Sequence, residues 1–479
     1  MQTDSNNKLI ANYLFIGGLI VFVMMLFGVM MLLTQGGVIQ LGPATFYQFL
    51  TIHGTGMIGA CALAASGVMW YFLNKHVVLS KKIFITNLIC FLIGVVMVIV
   101  GVFSFDYASA WTFLYPLPTL SAKAWGTIGA LLYLFGMLII GIGFLLLFLD
   151  IGRAIIKKQG SLAKGLGWDI ISGKKSEKDA PHVAIVAATM VTIVDVVALL
   201  VGATVLMMNI IHTINPAYTF DPLLAKNFTY AFGHVFANSI IYMSVIVVYE
   251  LLSKYTNRQW KANKVFLIAW TMSTFFTLII YTHHLLMDSV MPRWMLITGQ
   301  VLSYANGLPV LVITAYGALM IVYKSGIKWD IASGLTFIAM FGWTIGVVPA
   351  IVDATIVVNH VMHNTKWVPG HFHMYMGLGA VVMLFAFMYY LTKVDKQIPI
   401  TKLDWAALYC YLISMFLVSM QFLVSGAIST PRRWATHIPE WMGPALFGGI
   451  AGIFVMIATS IFIYHFMNYF FYKNSTKDS

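Results

Sequence analysis

The stretch GHFHMYMGLGAVVMLFAFMYYLT, residues 370–392, is an apolar run that begins with two histidines. About twenty apolar residues cross the ~30 Å hydrocarbon core of a bilayer as an α-helix, so the run predicts a membrane-spanning helix. His371 and His373 are about 200° apart on a helix that turns about 100° per residue. They therefore point to opposite sides, and one helix could serve two metal centres side by side.

Similar runs recur along the chain. The 479 residues are 60% hydrophobic and 9% charged, with a mean hydropathy of +0.87. A water-soluble domain of this composition would expose a very large apolar surface. Runs of spanning length lie at about 9–34, 46–73, 83–104, 126–149, 183–211, 225–252, 264–287, 294–323, 331–360, 370–392, 404–427 and 446–472. We therefore predict an all-α, polytopic membrane bundle of about twelve helices that forms one domain over residues 1–479.

The net charge of +12 is unevenly distributed. With the N-terminus in the cytoplasm, the alternating spans leave only six of the 28 Lys and Arg residues outside, namely Lys123, Lys226, Arg293, Lys366, Arg432 and Arg433. Because cytoplasmic loops carry the excess of Lys and Arg, both termini are predicted to be cytoplasmic. The excess of Lys and Arg therefore indicates the topology of the chain and gives no support for a nucleic-acid partner.

Six of the histidines within the predicted spans lie near one end of the bundle: His53, His234, His283, His284, His371 and His373. In the predicted topology all six lie at one depth, in the outer part of the membrane. A single buried imidazole is most simply explained by a hydrogen bond to a neighbour. Six at one depth instead favour metal ligation, because imidazole is the common protein ligand of heme iron and of copper.

The segment HNTKWVPGHFH, residues 363–373, resembles the signature of the catalytic subunit I of the heme-copper oxidase superfamily, and of its B family in particular. Five other segments complete the resemblance, which covers about residues 46–440: DPLLA at 221–225, FGH at 232–234, THH at 282–284, PRR at 431–433 and HG at 53–54.

The resemblance implies three metal groups, a low-spin heme, a high-spin heme and a copper ion called copper B. His53 and His373 would be the axial ligands of the low-spin heme. His371 would be the proximal ligand of the high-spin heme. The three remaining histidines, His234, His283 and His284, would hold copper B.

Four further residues are implied to lie near the heme propionates. Arg432 and Arg433 would pair with propionates at the outer surface, where the guanidinium fork suits a carboxylate. His363 and Asn364 resemble the residues near the propionates of the high-spin heme.

Asn238 departs from the pattern of the oxidases. The oxygen-reducing members of the A and B families carry a tyrosine four residues after the first copper histidine, and this tyrosine supplies an electron and a proton. An amide can supply neither. Tyr242 is predicted to lie about 80° further round the helix and more than a turn away, and Tyr281 is predicted to face elsewhere. The site therefore resembles that of a nitric oxide reductase. Asn238 is expected either to hydrogen-bond a bound NO or only to support local packing.

A proton path is less well defined by the sequence. Tyr249 matches a tyrosine of the B-family path, but Val310 and Ile313 stand where hydroxyl residues are expected. Carboxylates in or near membrane spans are functional candidates by default. Three carboxylates meet this description, Asp353, Asp195 and Glu250. Asp353 ranks first, because it lies near the depth of the predicted hemes. We expect proton pumping to be reduced or absent.

The favoured function is nitric oxide reduction in a respiratory, denitrifying electron-transport chain of a prokaryotic plasma membrane. The runner-up is a cytochrome c or quinol oxidase that reduces O2 with proton pumping. A secondary transporter and a heme-bearing electron carrier without catalysis are the alternatives from other classes. The chain has no Cys-rich copper site and no Cys-x-x-Cys-His motif. The expected electron donor is therefore a subunit II with a dicopper centre or a c-type cytochrome, with quinol as the other possibility.

Overall fold

The structure is a computed structural model that describes residues 2–306 and 309–471. This part contains twelve helical segments long and apolar enough to cross a membrane, which confirms the predicted all-α membrane bundle. They are α1 Gln2–Gln35, α2 Pro43–Leu73, α3 Lys81–Ser104, α4 Thr127–Gln159, α5 Val183–Ile214, α6 Pro222–Thr256, α7 Lys264–Leu285, α8 with the parts Arg293–Asn306 and Pro309–Val322, α9 Ile331–Asp353, α10 Trp367–Lys396, α11 Lys402–Ala427 and α12 Pro439–Phe471.

Several helices begin at side-chain caps that the sequence supplies. Asp221 accepts a hydrogen bond from the Leu224 amide at 2.8 Å, and Pro222 occupies the first helical turn of α6. Asp330 forms a capping box with Ser333 at the start of α9. Such caps satisfy backbone N–H groups that have no partner within the helix. They fix where each helix starts and thus the depth of the residues that follow.

Four short helices lie between the spans. Leu162–Gly165, Trp168–Ile171 and the 3-10 turn Glu177–Asp179 lie between α4 and α5, and Ile356–Met362 lies between α9 and α10. The described residues contain no strand, only an isolated bridge between Thr365 and Pro431.

The last of these short helices corrects one predicted boundary. The apolar run at 331–360 reads as one helix, but α9 ends at Asp353. The Asn359 side chain donates to the Asp353 carbonyl at 2.7 Å, and Gln300 accepts from the Ile356 amide at 2.8 Å. These side chains satisfy backbone groups that a break in the helix sets free.

Two histidine-bearing helices are also irregular. α7 ends in the 3-10 segment Ile280–Leu285, and α10 contains a π-helical segment, His373–Ala380. The sequence predicted regular α-helices at both places. Segments of this kind are frequent at functional sites, because they re-aim the side chains that follow.

The helices that carry most of the histidines lie inside the bundle. In the most apolar part of α6 and of α10, 94% of the residues are buried, and in that of α2 78% are buried. The corresponding fraction for α3 is 33%, and its exposed residues include Ile89 and Val96. The outer helices thus present apolar side chains outward, and the central helices enclose the polar residues.

A candidate metal centre between the central helices

His53 on α2 and His373 on α10 face each other across a gap. Their ring centres are 6.2 Å apart and their planes differ by 12°. The Nδ1 atom of His53 lies 2.7 Å from the Met24 carbonyl, and Nδ1 of His373 lies 2.7 Å from the Pro369 carbonyl. Each carbonyl fixes a proton on Nδ1, which leaves Nε2 free as a ligand.

This gap fits one metal ion between two imidazoles. Metal–nitrogen bonds of about 2 Å, with each ring centre roughly 1 Å behind its nitrogen, place the two centres about 6 Å apart. The observed separation of 6.2 Å agrees with this. The pair therefore suits the two axial positions of a heme.

A glycine on α1 leaves room for this arrangement. A Cβ atom added at Gly28 would lie 2.9 Å from Cε1 and 3.2 Å from Nδ1 of His53. Any larger side chain at this position would push the imidazole out of line, so Gly28 sets the position of His53.

His234, His283 and His284 form a second cluster. Their ligand atoms lie within 4.8 Å of one another, with Nδ1 of His234 3.1 Å and Nε2 of His283 3.2 Å from Nε2 of His284. The other ring nitrogen of His283 lies 2.8 Å from the Ser303 hydroxyl, which orients the ring. Three converging neutral nitrogens are a donor set that suits copper.

His371 lies on the other side of α10 from His373. Its Nδ1 atom is buried without a hydrogen-bond partner among the described residues. The ring lines a cavity of about 450 Å³, which both histidine groups also line. The cavity thus runs along both sides of α10, as the opposite directions of the two histidines require.

Basic residues line one end of this cavity without a carboxylate partner among the described residues. Arg433 donates to the Thr112 hydroxyl at 2.5 Å and adopts a left-handed backbone with φ of 67°. Burial, with Arg432 beside it, lowers the pKa of Arg433 to about 10. Strained backbone of this kind often occurs at ligand clamps. The cavity end is therefore suited to anionic groups such as propionates.

Lys366 is a cavity residue whose role the sequence did not reveal. It is 2% exposed, and its ammonium group donates to Gln35 at 2.6 Å and lies 5.6 Å from the centre of the Phe422 ring. Phe422 in turn lies 4.8 Å from the His373 ring. Burial lowers the pKa of Lys366 to about 7. The only sequence signal was a lysine on a side otherwise poor in cations.

His363 and Asp353 form a buried pair beside the three-histidine cluster. Nδ1 of His363 lies 3.1 Å from the Asp353 carboxylate, and its ring centre lies 6.0 Å from that of His284. Asn364 is exposed, and its carbonyl oxygens accept from the backbone and side chain of Arg432 at 3.0 and 3.4 Å. The structure thus brings Asp353, His363 and Asn364 to the same cavity region as the arginines.

Asn238 lies against His234 and contacts a tyrosine from another helix. Its Nδ2 atom is 3.3 Å from Nε2 of His234, and its Oδ1 accepts a hydrogen bond from the Tyr375 hydroxyl at 2.7 Å. Tyr375 follows His371 by four residues, so a same-face argument on α10 could have identified it. Tyr375 is absent from the sequence prediction, which considers only tyrosines on the helices of the copper histidines.

Tyr249 pairs with a hydroxyl residue that the sequence did not select. Its OH lies 2.7 Å from Oγ1 of Thr314. The resemblance pointed to Val310 and Ile313 at this part of α8. Neither carries a hydroxyl, and Thr314 is the α8 residue that contacts the tyrosine hydroxyl.

The other two carboxylates lie apart from the cavity. Asp195 is fully buried on α5 beside Ser239. Glu250 lies near the far end of α6 beside His76 and His182. Neither is among the residues that line the cavity.

Known oxidase polypeptides are similar to this chain in sequence and fold. Residues 8–459 match the family model described as cytochrome c and quinol oxidase polypeptide I. A solved structure described as a heme-copper terminal oxidase dimer superposes with a TM-score of 0.78 at 20% identity, and the match covers 99% of this chain and 86% of that chain.

Curated relatives are more distant. Cytochrome c oxidase subunit 1 of Thermus thermophilus is 23% identical over 269 residues, which are 51% of this chain and 48% of the relative. Subunit 1 of Cereibacter sphaeroides is 23% identical over 262 residues, 53% of this chain and 44% of the relative. The matches therefore span about half the length of these relatives.

Proposed function

The chain belongs to the cytochrome c and quinol oxidase polypeptide I family, and we propose that it is the catalytic subunit of a respiratory heme-copper reductase that converts two NO to N2O. The observation that carries the proposal is the placement of His53 and His373 on one side of α10, with His371 and the three-histidine cluster on the cavity's other side.

Each metal group has a set of residues that would hold it. His53 and His373 would bind the low-spin heme, His371 the high-spin heme, and the three-histidine cluster copper B. When bound, these groups would supply the electrons and the positions at which the substrate is reduced. Arg432 and Arg433 would hold propionates, with His363 and Asn364 near those of the high-spin heme.

Asn238 favours NO over O2 as the substrate. The reaction 2 NO + 2 e⁻ + 2 H⁺ gives N2O and H2O and needs no donor of an additional electron and proton for cleavage of an O–O bond. The Asn238 amide lies against His234 where the resemblance implies a phenol in the oxidases. One of its N–H groups donates to the His234 backbone carbonyl at 2.8 Å, and the other, 3.3 Å from Nε2 of His234, would turn to a polar substrate in the cavity.

Tyr375 would bring protons to this position. Its hydroxyl contacts Oδ1 of Asn238, and its ring centre lies 6.5 Å from that of Trp343, whose ring in turn lies 6.4 Å from Tyr242. Tyr242 lies beside Ser273, Thr277 and Asn306. Hydroxyl groups around Tyr242 thus lie on the Tyr375 side of the cavity, with the Trp343 ring between the two tyrosines.

Tyr249 and Thr314 would extend these hydroxyl groups away from the cavity, whereas Asp353 with His363 offers a second route from the arginine end. Asp195 and Glu250 are less favoured members, since they do not line the cavity. A short route from the arginine side would deliver protons without crossing the membrane, so we expect little or no pumping. Acidification outside reconstituted vesicles during turnover, beyond that of the donor reaction, would contradict this.

Reduction of O2 is the second candidate. The relatives are named cytochrome c oxidase subunits, and the Tyr375 phenol lies within hydrogen-bond distance of the residue that replaces the oxidase tyrosine. A phenol that reaches the site from α10 could supply the electron and proton that O2 reduction requires.

The substrate is tested by measuring NO and O2 consumption on one purified complex with the same reduced donor. We expect turnover with NO to exceed turnover with O2 at least tenfold. Turnover with O2 that equals or exceeds that with NO would establish the second candidate.

Partners and location follow from the same proposal. A subunit II with a dicopper centre, or a c-type cytochrome, would deliver electrons on the outer side of a prokaryotic plasma membrane, and quinol is the alternative donor. In this orientation both termini are cytoplasmic, lipid surrounds the outer helices, and the arginine end of the cavity faces outward.

A further inference from the structure

A further cluster of side chains suited to bind a metal ion lies outside the cavity. It consists of His76 in the loop after α2, His182 at the start of α5 and Glu250 near the end of α6, with ligand atoms within 4.8 Å of one another. Oε1 of Glu250 is 3.6 Å from Nδ1 of His182 and 4.0 Å from Nε2 of His76. The two imidazole rings stack with their centres 3.8 Å apart.

This cluster is remote from the cavity. His53 and His76 are separated along the length of α2, and a rise of 1.5 Å per residue places them about 30 Å apart. None of the three residues lines the cavity. The cluster is therefore a separate site at the opposite end of the bundle.

The three side chains are in a state that can bind a metal ion. Oε1 of Glu250 is buried without a hydrogen-bond partner among the described residues. The side chains of His76 and His182 are 27% and 32% exposed, so an ion can reach them. Burial, and the neighbouring His76, lower the pKa of His182 to about 4. The imidazole is thus neutral at physiological pH, the form that binds a metal ion.

Two lysines near the cluster are engaged elsewhere. Lys75 lies 4.0 Å from the centre of the Tyr71 ring, and Lys254 donates to the Tyr390 hydroxyl at 2.6 Å. Neither forms an ion pair with Glu250 in the described part of the chain.

We propose that His76, His182 and Glu250 form a Zn²⁺ site with two imidazole nitrogens, one carboxylate oxygen and a fourth position open to water. Two histidines and a glutamate are a known zinc donor set, and donors on tetrahedral zinc lie about 3.4 Å apart. The observed 3.6 and 4.0 Å are close to this spacing, and one of the two stacked imidazoles would rotate so that the planes of both rings contain the ion. Zinc binding would displace the contact of His182 Nδ1 with the Ala184 amide, at 3.3 Å.

Bound zinc would tie together the ends of α2, α5 and α6. α2 and α6 carry His53 and His234, so the ion would restrain the helices that position both histidine groups of the cavity. The site itself does not depend on which substrate is reduced there.

The test is equilibrium dialysis of the purified full-length complex against Zn²⁺, followed by metal analysis. We expect the double variant His76→Gln and His182→Gln to bind one zinc ion fewer per chain than the wild type. The matched control is His360→Gln, an exposed histidine between α9 and α10, which should bind as the wild type does. Equal zinc content in the double variant and the wild type would overturn the proposal.

A measurement on the wild type removes the dependence on folding of the variants. X-ray absorption at the zinc edge should show nitrogen and oxygen neighbours at about 2.0 Å, with the multiple scattering of two imidazoles. A shell of oxygen alone, or sulfur neighbours, would contradict the assignment. Glu250→Gln should weaken zinc binding at least tenfold, because the amide removes the only anionic ligand.

Discussion

Replacement of Tyr375 by Phe removes one hydroxyl and leaves the ring in place. The lost contact is the 2.7 Å hydrogen bond to Oδ1 of Asn238. An acceptor left unpaired in a buried site costs about 1–3 kcal/mol, which is enough to let the amide reorient. If the hydroxyl also passes protons to the cavity, its loss should lower turnover by about 10²–10⁴-fold, the usual contribution of a positioned proton donor.

The assay is steady-state NO and O2 consumption by the purified complex, with heme spectra and copper content measured on the same sample. We expect spectra and copper to match the wild type, and the solvent deuterium isotope effect on turnover to rise, because proton transfer becomes slow. A purely structural role would leave that isotope effect unchanged.

Tyr411→Phe is the matched control. Tyr411 is buried, lines the same cavity and donates to the Gly377 carbonyl at 2.9 Å, but has no contact with Asn238. The control loses a hydrogen bond worth about 1 kcal/mol and should change turnover less than about threefold. If Tyr375→Phe behaves as this control does, the reasoning about proton delivery is refuted.

Three further predictions concern the metal groups. Gly28→Val should displace His53 and abolish the low-spin heme spectrum, whereas Gly42→Val, where an added Cβ meets no atom within 4 Å, should leave it intact. His234→Ala should remove one copper per chain and retain the low-spin heme spectrum. His53→Ala should abolish the low-spin heme spectrum and retain the copper. Loss of both groups in either variant would contradict separate sites. Lys366→Met removes a buried cation near His373 and should lower the midpoint potential of the low-spin heme. The oxidised heme carries more positive charge than the reduced heme, so loss of a nearby cation favours the oxidised form. An unchanged or higher potential in a redox titration would count against this placement of Lys366.

Much of the site was accessible from residue spacing. His371 and His373 are neighbours on one helix, so their opposite directions depend only on helical geometry. The depth of His53 and His234 followed from where their apolar runs begin. The motif resemblance then divided six histidines into ligand sets, and the structure brings His53 to His373 and gathers His234, His283 and His284 within one cluster.

Contacts between helices were harder to predict. Thr314, rather than Val310 or Ile313, meets Tyr249, because the facing side of α8 depends on how it packs against α6. Tyr375 reaches Asn238 from α10. Its spacing from His371 gives its face on that helix, but the residue of α6 that it contacts depends on how the two helices pack.

The sequence by itself determined the membrane bundle, its central helices and the two directions in which α10 presents histidines. Apolar run length and helical angle are local quantities, and each can be read within one segment. Tertiary structure alone decided that Tyr375 contacts Asn238, that Lys366 is buried beside Gln35, and that His76, His182 and Glu250 meet. These contacts join residues far apart in the chain, and they depend on the rotation and packing of whole helices, which no single segment encodes.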